Sequence, residues 1–165
     1  FKQEKVLIIY MRTRIVSMFF EDFREGDQFF TENRKVSRKD IISFAEQWDY
    51  QDFHLDEELA IASPYRGLIA SGWHTLLIGF SLILDTKKIA ESSLGSPGIE
   101  GVRWIKPVRP NDRLGCRVTI LNARRSQTKE RGVVKLLVEI FNQHAELVSD
   151  FKAVWLIKLS HPSGI

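Results

Sequence analysis

Ser71-Gly72-Trp73-His74-Thr75-Leu76-Leu77-Ile78-Gly79-Phe80-Ser81-Leu82-Ile83-Leu84-Asp85-Thr86-Lys87 is the stretch that decides the fold. Trp73, Leu76, Leu77, Ile78, Phe80, Leu82, Ile83 and Leu84 put apolar side chains on nearly every face of a helix that starts after Ser71. A helix apolar nearly all round is usually buried nearly all round, so Leu76, Leu77, Phe80 and Leu84 are expected to be mostly covered. Ser71 is a good N-cap for this helix. The small residues Gly79 and Ser81 would let a neighbouring element come close.

What covers the helix lies after it. Beyond the loop from Ser92 to Gly98 the texture becomes that of strands: Ile99 to Ile105 alternates, and Pro107 to Asp112 is a turn. Arg113 to Ala123, Gly132 to Asn142 and Glu146 to Lys158 are runs rich in β-branched and aromatic residues. Upstream, Phe19 to Asp27 is a lead-in closed by a Gly-Asp turn, and Gln28 to Val36 is expected to be a strand. Ser37 and Asp40 resemble a capping box for a helix whose apolar face is Ile41, Ile42, Phe44, Ala45 and Trp48. A break from Asp49 to Phe53 precedes a short helix, Asp56 to Ala62, stopped by Ser63-Pro64. Helices first and strands last indicate α+β rather than alternating α/β. The expected architecture is an antiparallel sheet wrapped round a long central helix.

The chain has 165 residues, 44% hydrophobic and 27% charged, which is ordinary for one soluble globular domain. That domain is read as residues 19–160. Residues 1–18 are expected to be an extension that need not be native; Met11 and Met18 are candidate starts. The apolar run Val6 to Met11 is interrupted by Arg12-Thr13-Arg14, unlike a secretory signal, and no apolar run approaches the ~20 residues that span a bilayer. A net charge of +3 is too mild and too evenly spread to argue for nucleic acid. Cys116 is the only cysteine, so neither an internal disulfide nor a cysteine-based metal cluster can form. A cytoplasmic location is expected.

The chemistry-bearing residues sit in the break and at the helix start. Asp49-Tyr50-Gln51-Asp52-Phe53-His54 places a carboxylate five positions before an imidazole, and Ser71-Gly72 then opens the apolar helix. A carboxylate and an imidazole can move protons, and unpaired N–H groups at a helix start can hold developing negative charge. Taken alone, the pair reads more readily as a helix-end carboxylate and a cap for Asp56-Glu57-Glu58. His74, one turn into the helix, is read as a packing or hydrogen-bonding residue. Arg103, Lys106 and Arg109 are read as a solvated strand face, with a phosphate contact as the alternative. No His, Asp or Glu cluster has metal-ligand spacing.

Four stretches together reverse the plain reading of Asp49 and His54. Asp49 to Asp56, Gly67 to Thr75, Gly95-Ser96-Pro97-Gly98 and Arg103-Trp104-Ile105-Lys106-Pro107-Val108-Arg109-Pro110-Asn111-Asp112 resemble, in order, the MaoC-like acyl-CoA dehydratases. This family includes the (R)-specific enoyl-CoA hydratases and has a hot-dog fold. The likeness covers about Phe19 to Lys158. The family pattern reads Asp-x-Asn-Pro-x-His, or Asp-Pro-Gln-Pro-Phe-His in a common branch; here Tyr50 and Asp52 stand where prolines are usual. The resemblance implies reversible hydration of a trans-2-enoyl thioester, as the CoA ester, by a homodimer or larger homo-oligomer without metal or redox cofactor. Asp49 and His54 would hold and activate the water, and the backbone N–H of Gly72 would form the oxyanion hole. Gln51, Asp52, Phe53, Ser71 and Trp73 are the further candidates for contacting substrate.

Two other functions compete. A hot-dog acyl-CoA thioesterase would share the fold, but the Asp49/His54 pair argues against it. A non-catalytic acyl-thioester-binding subunit is the reading that Tyr50 and Asp52 keep open. Loss of enoyl absorbance separates hydration from binding alone, and release of free thiol reveals the thioesterase.

Overall fold

The computed structural model describes residues 17–161. Six strands form one antiparallel sheet: β1 (Gln28–Phe30), β2 (Arg34–Lys35), β3 (Gly98–Trp104), β4 (Arg113–Arg125), β5 (Gly132–Phe141) and β6 (Leu147–Ile157). Their order is β1-β4-β5-β6-β3, with β2 also pairing β4. The helices are α1 (Arg38–Trp48), α2 (Asp52–Leu55), α3 (Glu57–Ala62) and α4 (Gly72–Asp85).

The period of two in the long strands sets one face of the sheet inward. Leu114, Cys116, Val118 and Ile120 of β4 are buried, as are Val134, Leu136, Val138 and Ile140 of β5. The registers Val118↔Val138 and Val138↔Phe151 run these residues in rows across three strands. Helix α4 lies on this face and comes close to it at Gly79. A Cβ there would stand 2.6 Å from Ile140 Cδ1 and 3.4 Å from Cys116 Sγ. The Cys116 thiol donates to the Gly79 carbonyl at 3.6 Å, and burial pushes its pKa up to about 12.

Two expectations need correcting. Gln28 to Val36 is not one strand but two short ones, β1 and β2. Between them Thr31 crosses β4: its N–H donates to the Cys116 carbonyl and its hydroxyl accepts the Cys116 N–H. The missing side chain of Gly115 leaves room there for Asn33. On α4, Leu76 is buried as expected, but Leu77, Phe80 and Leu84 are 54, 44 and 45% exposed. With Trp73, also exposed, they recur at steps of four, three and four and so share one side of the helix. The sheet covers the side bearing Leu76, Gly79 and Ile83, and α1 covers a second, where Phe44 stacks on His74. The third side, bearing Trp73, Leu77, Phe80 and Leu84, is left about half exposed.

Ser17 and Met18 are docked on the domain: Met18 N–H donates to the Lys88 carbonyl at 2.6 Å, and Ser92 Oγ donates to the Met18 carbonyl at 2.5 Å. The rest of the expected extension, residues 1–16, lies outside the described residues. Among those residues no helix is long and apolar enough to cross a membrane.

Gly79→Leu forces a branched side chain into Ile140 and is expected to cost about 1–3 kcal/mol of stability, read as a lower urea midpoint; an unchanged midpoint would mean that α4 is not seated as described. Cys116 should be unreactive toward a thiol reagent at pH 8 in the native protein and react fully after denaturation.

Candidate active site

The break between α1 and α2 is a tight turn rather than a loose loop. Asp49 N–H closes α1 on the Ala45 carbonyl at 3.0 Å, and Gln51 N–H turns back to the Asp49 carbonyl at 2.7 Å. Helix α2 follows at once and carries His54 inward, where it is buried. His54 Nδ1 donates to the Ile69 carbonyl at 2.8 Å. A carbonyl only accepts, so Nδ1 carries the hydrogen and Nε2 is turned to Asp49, 3.4 Å from Oδ2.

The Ile69 carbonyl is itself held. Ile69 N–H donates to the Phe53 carbonyl and Ala70 N–H to the Val108 carbonyl, at 3.2 and 2.8 Å. Arg109 Nη2 fastens the preceding turn by donating to the Tyr65 carbonyl at 2.6 Å. A buried, hydrogen-bonded segment therefore orients the imidazole.

Burial pushes the Asp49 carboxyl up, but hydrogen bonds from Gln51 and Ser71 and the nearby His54 more than offset this, and it sits below the usual aspartate range. The Gln51 Nε2 contact to Oδ1 is 2.7 Å. Asp49 is thus ionised at neutral pH and can only accept protons.

At the start of α4, Ser71 caps the helix by accepting the Trp73 N–H at 3.2 Å. The Thr75 N–H donates to the Ser71 carbonyl. Gly72 N–H has no acceptor among the described residues. A Cβ at Gly72 would fall inside the pyrrole edge of Trp104, with Nε1 its nearest atom. Only glycine leaves room for this contact.

Asp49, Gln51, Phe53, His54, Gly72 and Trp73 all line one cavity of about 400 Å³. The remaining predicted contacts lie elsewhere. Ser71 is fully buried behind the wall, against Asp49. Asp52 is the first residue of α2, two positions from the inward His54, and the helical turn leaves it exposed and off the cavity. Tyr50 is exposed too, its hydroxyl donating to the Gln47 carbonyl. Both departures from the proline pattern therefore point away from the acid–imidazole pair.

Sequence reasoning missed several of the walls: Tyr65, Ile69, Thr75, Trp104 and Val108. The signal available for Trp104 was its place beside Lys106-Pro107-Val108 in the resembling stretch. Trp73, a candidate for contacting substrate, stands at the cavity with its ring edge-to-face to Trp104, centroids 5.6 Å apart. Arg103 is not simply solvated but pairs with the buried Asp150, while Lys106 lines the cavity and pairs with Glu146 at 2.5 Å. His74 faces a different hollow, between α1 and α4, and its Nδ1 is buried without a partner among the described residues. Burial lowers its pKa against the attraction of Asp40. Among the described residues no three His, Cys, Asp or Glu side chains are grouped as metal ligands.

The MaoC like domain family matches residues 22–140 of this sequence. The chain belongs to the MaoC-like family. An uncharacterized protein of Bacillus subtilis, YdeM, is 33% identical over 141 residues, spanning 86% of this chain and 99% of its own length. The crystal structure of a MaoC-like dehydratase from Rhodospirillum rubrum superposes with a TM-score of 0.82 at 33% identity, covering 88% of this chain and 99% of that one. The R-hydratase PhaJ1 of Pseudomonas aeruginosa shares the fold at 21% identity, with a TM-score of 0.66 over 87% of this chain and 88% of its own. The antiparallel sheet with α4 on its inner face is the hot-dog fold of this MaoC-like domain.

Gly72→Ala is expected to displace the Trp104 indole. Near-ultraviolet circular dichroism, which reports the asymmetric packing of the Trp73–Trp104 pair, should change while far-ultraviolet dichroism stays constant. An unchanged near-ultraviolet spectrum would show that the two groups are not in contact.

Proposed function

We propose that this MaoC-like protein is a hydro-lyase that reversibly hydrates a trans-2-enoyl thioester, the CoA ester, to a 3-hydroxyacyl thioester. The observation that carries this reading is the meeting of three groups at one cavity: an ionised carboxylate, an imidazole 3.4 Å from it, and the Gly72 N–H at the start of α4. A water between Asp49 and His54 would give one proton to Asp49 as its oxygen attacks C3. The π electrons of the C=C bond move toward the thioester, and the carbonyl oxygen becomes an enolate oxygen. The Gly72 N–H, strengthened by the helix dipole, holds that charge. Collapse of the enolate takes up at C2 the proton that Asp49 accepted, relayed through His54 Nε2, so that one water is consumed and Asp49 is returned to its starting state. A positioned acid–base pair contributes typically 10² to 10⁴-fold. The step uses protein groups only, without metal or redox cofactor.

The proposed assembly is a homodimer. Strand β3 pairs with β6 along one edge, and its residues are exposed almost throughout. Exposed strand edges are normally paired or covered. The uncovered stripe Trp73, Leu77, Phe80 and Leu84 adjoins that edge through the Trp73–Trp104 contact. Edge-to-edge pairing of two β3 strands would bring both surfaces to the same interface. A cytoplasmic setting completes the proposal, in keeping with a single cysteine that is buried and free.

Crotonyl-CoA should lose its enoyl absorbance on incubation with the protein, with mass spectrometry showing the gain of one water. Asp49→Asn and His54→Ala should each lower turnover by about 100-fold or more with little change in melting temperature. Equal turnover in wild type and Asp49→Asn would mean that the water is activated elsewhere. Release of free CoA thiol without hydrated product would replace the reading by a thioesterase. Light scattering should give twice the chain mass at micromolar concentration; a monomer would sink the assembly.

A further inference from the structure

The indole nitrogen of Trp104 lies against the start of α4. Trp104 is the last residue of β3, lines the cavity, and presses its pyrrole edge onto Gly72 so closely that a Cβ there would meet Nε1 first. An indole N–H is a donor only. Among the described residues it has no acceptor, and neither has the Gly72 N–H beside it. The carboxylate lining this cavity, Asp49, is already engaged by Gln51 and Ser71 and faces His54. Two donor-only groups lie side by side, and no oxygen of the described residues receives them. That arrangement suits an oxygen that arrives with the substrate and gains negative charge. The edge-to-face contact with Trp73, at an interplanar angle of 72°, holds the indole plane.

We propose that Trp104 is a second oxyanion donor: its Nε1–H and the Gly72 N–H together hold the thioester oxygen as it becomes an enolate. The inference rests on the reading of the site as one for acyl thioesters. It also explains the need for glycine at position 72, since any side chain would separate the two donors.

Trp104→Phe keeps an aromatic ring against Gly72 and Trp73 but removes the N–H. Incorporation of benzothienylalanine at position 104, in which sulfur replaces the N–H, keeps the bicyclic shape as well. Each should lower kcat for crotonyl-CoA by roughly 100-fold, as for loss of one oxyanion donor, with KM changed less than threefold. Difference infrared spectra of bound butyryl-CoA, carbon-13 labelled at the carbonyl, supply a readout without turnover. Wild type should shift the carbonyl stretch to lower frequency, and both variants should recover part of that shift. Wild-type kcat and an unchanged carbonyl frequency in the benzothienylalanine protein would overturn the role of Trp104 while leaving hydration intact. A variant-sensitive carbonyl shift in a protein that hydrates nothing would keep Trp104 and discard hydration. Failure of the wild type to bind either thioester would discard both.

Discussion

The close seat of α4 on the sheet at Gly79 governs the rest of the molecule. With no side chain at that position, the helix backbone comes down onto Ile140 and Cys116. This fixes the height and direction of α4, and so the position of its first N–H at Gly72, two turns away. The candidate site is arranged round that end: the buried segment 68–70 enters it, Trp104 covers it, and Asp49 is tied to its N-cap through Ser71. A shift of α4 by even part of an ångström would separate donors from acid and imidazole, and such displacements are costly to catalysis.

The cavity is built largely from backbone groups that secondary structure leaves unsatisfied. The Ile69 carbonyl is outside any sheet ladder and therefore free to accept His54 Nδ1. The Gly72 N–H is one of the donors every helix start leaves over. These groups carry no residue-type signature, because any residue offers them. Their placement depends on remote side chains, above all Arg109, whose guanidinium clamps the Tyr65 carbonyl and so steadies the chain that leads to Ile69. A residue that reads in isolation as a solvated cation thus positions the imidazole from outside the cavity.

This explains how much could be read from the sequence. The apolar periodicity of α4, the capping box of α1 and the alternation in β4 to β6 are local signals, and each produced its element within a residue or two. The spacing of Asp49 and His54 was legible because both lie within six residues and the turn between them is short. What the sequence could not show depends on contacts distant along the chain. The break at Thr31 is forced by β4, 85 positions away. Trp104 meets Gly72 only because β3 returns along β6 to the mouth of the helix. Asp52 illustrates the opposite failure: proximity in sequence to His54 suggested a site residue, yet one helical turn sends it to the surface.

The error over α4 is the most instructive. Reading a helix as buried all round assumes that one chain supplies all its cover. The sheet and α1 between them enclose two sides, leaving Trp73, Leu77, Phe80 and Leu84 outward. Scattered exposed apolar residues need no explanation, but four in a stripe beside the β3 edge, which no described residue pairs, form the kind of surface that commonly serves as an interaction site. Trp73 belongs both to that stripe and to the cavity wall, and Trp104 both to the strand edge and to the Gly72 end of the cavity. In the proposed dimer the same two side chains would serve assembly and chemistry. Pairing would then exclude water from the Gly72 end of the cavity, where a low dielectric makes each donor more effective. A sequence that leaves its central helix half uncovered is consistent with a site finished by association rather than by a single chain.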